Sequence, residues 1–359
     1  MEQIEHTDEN DKEYMTILHN LAAVYTNTHQ YEKGETILKE VVAARIKSYG
    51  KENLLTVQSF NNLANLYCNM KQYEMAEEIY LEIIKSSTYF FGTRHKRTLS
   101  QKHNLAELYY QWNRFQECKA LYIEILQTEE SVYGKYTDEV CTIKNHLGRL
   151  YKEQGRYEKS KEMFEFVLDT YIKKHSTEHP KVITSMTNLA TVYRLLEEYT
   201  KAIDLFTQVI EQKVNQKEYK ERVQIRYNIV HCLIPLGQND NVLDQLEHIL
   251  YEEIILYGEE HLELATTYWN VGKYSVMNGK IDSGLQYKYK CWDIEGRYYG
   301  FAHKVTLQTA IAIIKDCIAF SKTELCDLII PKTSISLEES KDIDSIQDLV
   351  DQFMTFMKQ

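Results

Sequence analysis

Three sets of residues in this sequence carry side chains that could do chemistry. The run His175-Ser176-Thr177-Glu178-His179 has the H-x-x-E-H form, in which two imidazoles ligate zinc and a glutamate acts as base. Asn20, Asn62, Asn104, Asn188, Asn228 and Asn270 recur at one phase of the chain. An amide both donates and accepts a hydrogen bond, which suits it to the backbone of an extended peptide. Arg149, Lys152 and Arg194, with His146 beside them, are cations in an acidic chain and could receive an Asp or Glu side chain. No phosphate-cradling glycine loop and no nucleophile elbow is present.

The elements that must position these groups follow from a 42-residue step. Asn20-Leu21-Ala22 with Tyr25 returns as Asn62-Leu63-Ala64 with Tyr67 and as Asn104-Leu105-Ala106 with Tyr109. His146-Leu147-Gly148 with Tyr151 is a degenerate copy, and Asn188-Leu189-Ala190 with Tyr193 restores the pattern. Asn228-Ile229-Val230 follows after 40 residues, then Asn270-Val271-Gly272. Leu, Ala and Tyr at i, i+1 and i+4 lie on one helical face, where the small residue lets a second helix approach. That second helix opens on an aromatic (Tyr31, Tyr73, Phe115, Tyr157, Tyr199) and has a small residue three places on (Gly34, Ala76, Cys118, Ser160, Ala202). It stops at aromatic-glycine pairs such as Tyr49-Gly50 and Phe91-Gly92, where a glycine is expected to cap in the left-handed region. A histidine follows three residues later at His95, His261 and His303, with His179 in the same column.

Composition agrees with an all-helical chain. Of 359 residues 43% are hydrophobic, prolines number only 3 and glycines 13, so helix breakers are scarce. The formal charge of −11 argues against nucleic acid, whose phosphates require a basic face. No apolar run reaches the length of a membrane span. The seven cysteines form no C-x-x-C pair and read as reduced thiols, which points to the cytoplasm.

The N-L-A-x-x-Y opening, the x-Y-x-x-A turn and the Gly-x-x-His connector resemble the tetratricopeptide repeats (TPRs) of kinesin light chains over roughly residues 15–306. The resemblance implies a right-handed superhelix, an α-solenoid of about seven helix-turn-helix repeats plus a capping helix, whose first helices line a concave groove. Matching asparagines in that family bind the backbone of an extended peptide, so the resemblance implies that role for the six here. Only about fourteen residues precede the first repeat, without a heptad coiled coil, so a motor subunit is not expected.

The expected organisation is a polar segment over 1–14, the superhelix over 15–320, a linker over 321–342 and an amphipathic helix over 343–359. Lys304 to Phe320 carries Leu307, Ile311, Ile314 and Ile318 at helical spacing and is expected to cap the array. Ile346, Leu349, Val350, Phe353, Phe356 and Met357 form the last apolar stripe, which either packs back on the terminal repeat or regulates a groove.

The expected function is a non-enzymatic scaffold or adaptor that binds a short extended peptide of a partner, carrying Asp or Glu where it meets Arg149, Lys152 and Arg194. The alternative use of the asparagines is to bridge neighbouring helices and hold the stack. The alternative function is a regulatory sensor whose curvature changes when a peptide binds. No cofactor or metal is expected: the H-x-x-E-H run falls in a connector before Pro180, and the repeat already accounts for His179.

Overall fold

A computed structural model describes residues 8–213, 218–339, 351 and 353–355, and its regular structure is entirely helical. The chain divides into two compact units, Met1–Lys173 and Lys174–Gln359. In the first, helices alternate between a first (A) and second (B) member of each hairpin. They are α1 (Asp8–Asn27), α2 (Tyr31–Tyr49), α3 (Leu54–Asn69), α4 (Tyr73–Phe91), α5 (Lys96–Gln111), α6 (Phe115–Val132), α7 (Asp138–Glu153) and α8 (Tyr157–Lys174). The second unit continues with α9 (Pro180–Leu195), α10 (Tyr199–Lys213), α11 (Tyr219–Leu233), α12 (Asn239–Tyr257), α13 (Leu264–Met277), α14 (Ile281–Tyr299), α15 (Lys304–Ala319) and α16 (Cys326–Glu339).

Five A helices, α3, α5, α7, α9 and α15, start on side-chain caps. Asn53 Oδ1 accepts from the Leu55 amide at 2.9 Å and Thr137 Oγ1 from Val140 at 3.2 Å. The recurring histidine does the same: Nδ1 of His95, His179 and His303 accepts from the amide two residues on, at 3.2, 3.2 and 3.3 Å. The rings of His95 and His303 also stack on the residue that ends the preceding helix, Phe91–His95 at 5.0 Å and Tyr299–His303 at 4.9 Å between centroids. Each such residue thus satisfies one orphan amide of the helix start and anchors the connector against the preceding helix end.

The left-handed cap lies elsewhere than the sequence suggests. It terminates the A helices, at His29, Lys71, Asn113, Gly155, Glu197, Gly237, Gly279 and Ser321, all with φ between 56° and 77°. The amide after it bonds back to the carbonyl five residues earlier, as in Gln72 to Tyr67 at 2.9 Å and Arg114 to Tyr109 at 2.8 Å, the Schellman arrangement. Gly50, at the end of a B helix, has φ 84° and ψ 167°. That is the extended mirror-image region open essentially to glycine alone, not the left-handed helical one.

Packing follows the sequence pattern. Leu63, Ala64 and Tyr67 of α3 are buried with Ala76, Tyr80 and Ile83 of α4 in a cluster that runs on to Leu147 and Tyr151. At Gly148 the helices approach so closely that an added Cβ would stand 2.8 Å from the Phe164 ring, and Ser160 Oγ donates to the Gly148 carbonyl at 2.7 Å.

Residues 321–342, expected as a linker, carry helix α16 after a 3₁₀ turn at Thr323–Leu325. They are the B helix of an eighth hairpin whose A helix is α15, with Ser321 at the left-handed position and Cys326 at the small-residue position. The reading failed because the aromatic that opens other B helices is Thr323 here, and Pro331 discourages a helical assignment. Most of the helix expected over 343–359, and residues 1–7 of the polar segment expected over 1–14, lie outside the described residues, while 8–14 belong to α1. Phe353 is fully buried, in one cluster with Trp292, Ile311 and Ile329.

Candidate functional site

The asparagine column does not behave uniformly. In the first unit Asn62 Nδ2 lies 3.0 Å from His19 Nε2, and Asn104 Nδ2 donates to Asn61 Oδ1 at 3.4 Å. Both bonds tie an A helix to the A helix before it, 43 residues back in the chain. The third rung of this ladder is His146, whose ring meets that of His103 edge-on at 4.8 Å. Asn20 is exposed on α1.

Arg149 is drawn into the same internal network. Arg149 Nη2 donates to both carboxylate oxygens of Glu107 at 2.9 Å, and its guanidinium lies 4.2 Å from the Tyr110 ring centroid. His146 Nδ1 and the Tyr122 hydroxyl reach the same carboxylate, each at 3.2 Å from Oε2. Burial opposes ionisation of Glu107, but the His146 hydrogen bond and the Arg149 charge outweigh it and hold its carboxyl down at about 2. Burial, with the positive field of His146 and Arg149, pushes His103 down to about 4 against the pull of Glu107. Burial and the same carboxylate push the Tyr122 phenol up. Lys152 lies 3.9 Å from Glu153. The three cations expected to form one basic stretch are therefore not equivalent, since two already have carboxylate neighbours.

In the second unit two members of the asparagine column are open, although Tyr227 and Thr267 tie α11 to α13 at 2.6 Å. Asn188 and Asn270 are half-buried and have no hydrogen-bond partner among the described residues. Asn228 Nδ2 turns back to the Gln224 carbonyl at 3.1 Å. A depression of about 260 Å³ lies between α9 and α11, lined by Ile183, Thr187, Asn188, Glu221, Gln224 and Ile225. Arg194, two turns beyond Thr187 on α9, has no ion-pair partner among the described residues, and its Nε is buried without a hydrogen bond.

The H-x-x-E-H run is resolved by the repeat. His175 takes the column held elsewhere by the aromatic of the aromatic-glycine pair, and His179 takes the capping column. The two rings stack at 4.0 Å, as Phe91 does on His95. His179 Nδ1 is committed to the Lys181 amide, so the pair carries out the connector's structural task.

Sequence reasoning missed one set of polar ties. The column tyrosine was assigned to gap filling, yet the Tyr67 hydroxyl donates to Glu35 at 2.9 Å and the Tyr109 hydroxyl to Glu77 at 2.7 Å. Each glutamate stands on the B helix of the preceding hairpin. Its recurrence four residues after the opening aromatic was the available signal; the next copy has Lys119, whose ammonium lies 5.7 Å from the Tyr151 ring centroid.

Comparison with known proteins agrees with this architecture. The tetratricopeptide repeat family profile matches residues 13–88, 97–165 and 139–213, more than half of the chain. No curated protein matches the sequence. Among solved structures, a signal transduction ATPase with numerous domains and a tetratricopeptide repeat sensor, from Pyrococcus horikoshii, is 14% identical. The alignment covers 84% of this chain and 44% of that one at a TM-score of 0.64, which is a likeness of fold. TPR-like repeats of a Podosopora anserina kinesin light chain-type protein are 23% identical, covering 56% of this chain and 97% of theirs at a TM-score of 0.48. BtubC (BKLC) from P. vanneervenii is 22% identical over 56% of this chain and 80% of its own, at 0.49. With hairpins in sequence at a 42-residue step and the family profile matched across them, the chain belongs to the tetratricopeptide repeat family.

Proposed function

We propose that this chain is a non-enzymatic scaffold that holds a short, extended segment of a partner protein on its A-helix faces. The observation that carries this reading is the α9–α11 depression, where Asn188 offers a donor and an acceptor that the fold leaves unused. A half-buried amide without partners forgoes about 1 kcal/mol, which a bound peptide backbone would return. Arg194 supports an acidic residue in that segment, because its charge is unmatched. Repeat proteins of this architecture bind partners by presenting preformed surfaces of stacked helices. All seven cysteines are free and buried, which favours a reducing compartment such as the cytoplasm. No helix among the described residues is long and apolar enough to cross a membrane.

The test is a peptide-display selection on the full chain and on an Asn188→Ala/Arg194→Gln variant of equal helicity. The expected result is a common motif with an acidic position that the wild type enriches and the variant loses. Equal enrichment by both proteins would remove the α9–α11 face from consideration. Small-angle scattering with the selected peptide then separates scaffold from sensor: an unchanged radius of gyration supports the scaffold, and a changed one the sensor.

A further inference from the structure

In five of the B helices the residue fourteen places after the opening one is polar and buried: Arg45, Ser87, Glu129, Glu253 and Glu295 are all at most 9% exposed. Such groups need partners inside the protein, because an unpaired buried carboxyl costs free energy. Most of the charged members find one on the A helix that follows. Arg45 Nη1 donates to Ser59 Oγ at 2.7 Å. The Tyr227 hydroxyl donates to Glu253 Oε1 at 3.4 Å with Thr267 as a further hydrogen-bonding neighbour, and Glu295 has Thr309 and Cys291 as such neighbours, though Oε2 of each is buried without a partner. Ser59, Thr267 and Thr309 occupy corresponding positions of their A helices.

Glu129 breaks the rule. The residue in register with it on α7 is Ile143, which can offer nothing. Neither oxygen of its carboxyl has a hydrogen-bond partner among the described residues, and Oε2 is fully buried although the residue is only 3% exposed. Beside it opens a cavity of about 420 Å³ between α5, α6 and α7, which both Glu129 and Ile143 line. Its apolar walls are Leu99, Ile125 and Ile143. Its charged groups are Glu129, Asp138 and Glu139 against the single ammonium of Lys96, which is paired with Glu139 at 3.1 Å.

We infer that this cavity receives the side chain of a lysine or arginine from a partner segment, with the Glu129 carboxylate as its counter-ion. Apolar walls suit the methylene stem, and the excess of carboxyls suits the charged head. Burial and the neighbouring Glu139 push the empty-site carboxyl of Glu129 up, against Lys96. An entering cation reverses that balance and supplies the bond that threonine supplies to Glu253 and Glu295. The volume is within the range of small-ligand sites and ample for one long side chain. The inference rests on the reading that the chain holds partner segments, but it concerns the first unit and does not involve Asn188 or Arg194.

Methyl-labelled full chain would be titrated with Nα-acetyl-arginine amide, its neutral isostere Nα-acetyl-citrulline amide, and Nα-acetyl-glutamate amide, following the Ile125 and Ile143 δ1 methyls by NMR. The arginine probe is expected to shift both methyls, with the citrulline and glutamate probes binding at least about tenfold more weakly. Glu129→Gln, which keeps the shape, is expected to weaken the arginine probe by about tenfold or more. Ile143→Thr, read at Ile125, gives Glu129 the hydroxyl its counterparts have and is expected to weaken the probe severalfold. Equal response to arginine and citrulline, unmoved methyls, or wild-type affinity in Glu129→Gln would overturn the assignment and leave the cavity to water. These probes carry no extended backbone, so a failed display selection with a positive titration, or the reverse, separates this inference from the reading it rests on.

Discussion

The A-helix face is built from the same columns in both units, yet the two units use them oppositely. In the first, His19–Asn62, Asn61–Asn104 and His103–His146 tie successive A helices together, and Glu107 takes the charge of Arg149. In the second, Asn188 and Asn270 have no partner among the described residues, and Arg194 has no carboxylate. A column repeated in sequence is therefore not one site.

Acid is expected to strike this contrast hardest. His103 is pushed down to about 4 from 6.5, so between those values the unfolded chain binds a proton that the folded one refuses. Stability of the first unit should thus fall by on the order of 2 kcal/mol as pH falls through this window. Glu107, held at about 2 against 4.5, adds a loss that begins below 4.5. Urea unfolding read at Trp112 at about pH 7 and pH 4.5 checks this, and His103→Asn should flatten the difference. Next in size, Glu107→Gln should cost about 1–2 kcal/mol, because Arg149 keeps a buried Nε and loses its carboxylate, discounted for a pair about a third exposed. Arg194→Gln should change stability by no more than about 0.5 kcal/mol while altering peptide selection. Asn62→Ala is expected to cost about 1 kcal/mol in thermal or urea unfolding and Asn188→Ala about half that or less. If the two cost the same, the division between the units is wrong. An effect of opposite sign should be shared: Lys71→Gly and Glu197→Gly both relieve a left-handed residue and should each add about 0.5–1 kcal/mol.

Much of the fold was readable because packing repeats. Leu, Ala and Tyr at fixed phase, the small residue at the helix crossing and the aromatic-glycine stop each answer one steric demand, and each recurs. The parts that escaped were those where chemistry does not show as residue type. The left-handed turn is occupied by His29, Lys71, Asn113 and Glu197 as readily as by glycine, because the Schellman bond to the tyrosine carbonyl outweighs the strain. The eighth hairpin lost its opening aromatic and so read as a linker. At the candidate site the repeat places every asparagine and cation but does not reveal its company. Whether Arg149 is available depends on Glu107, 42 residues away, and no local pattern reports that pairing.

The tyrosine ties of the first unit have a consequence for chain length. Tyr67–Glu35 and Tyr109–Glu77 each span 32 residues and reach only the adjacent hairpin. Excising one 42-residue period between Glu35 and Tyr109 would bring Tyr109 opposite Glu35 at the same 32-residue separation, and every neighbouring contact would find an equivalent. Such a chain should still fold, and quickly, since no contact it needs is distant in sequence. Whole periods can therefore be lost or duplicated without renegotiating the interior, whereas an insertion of any other length must be absorbed in a connector.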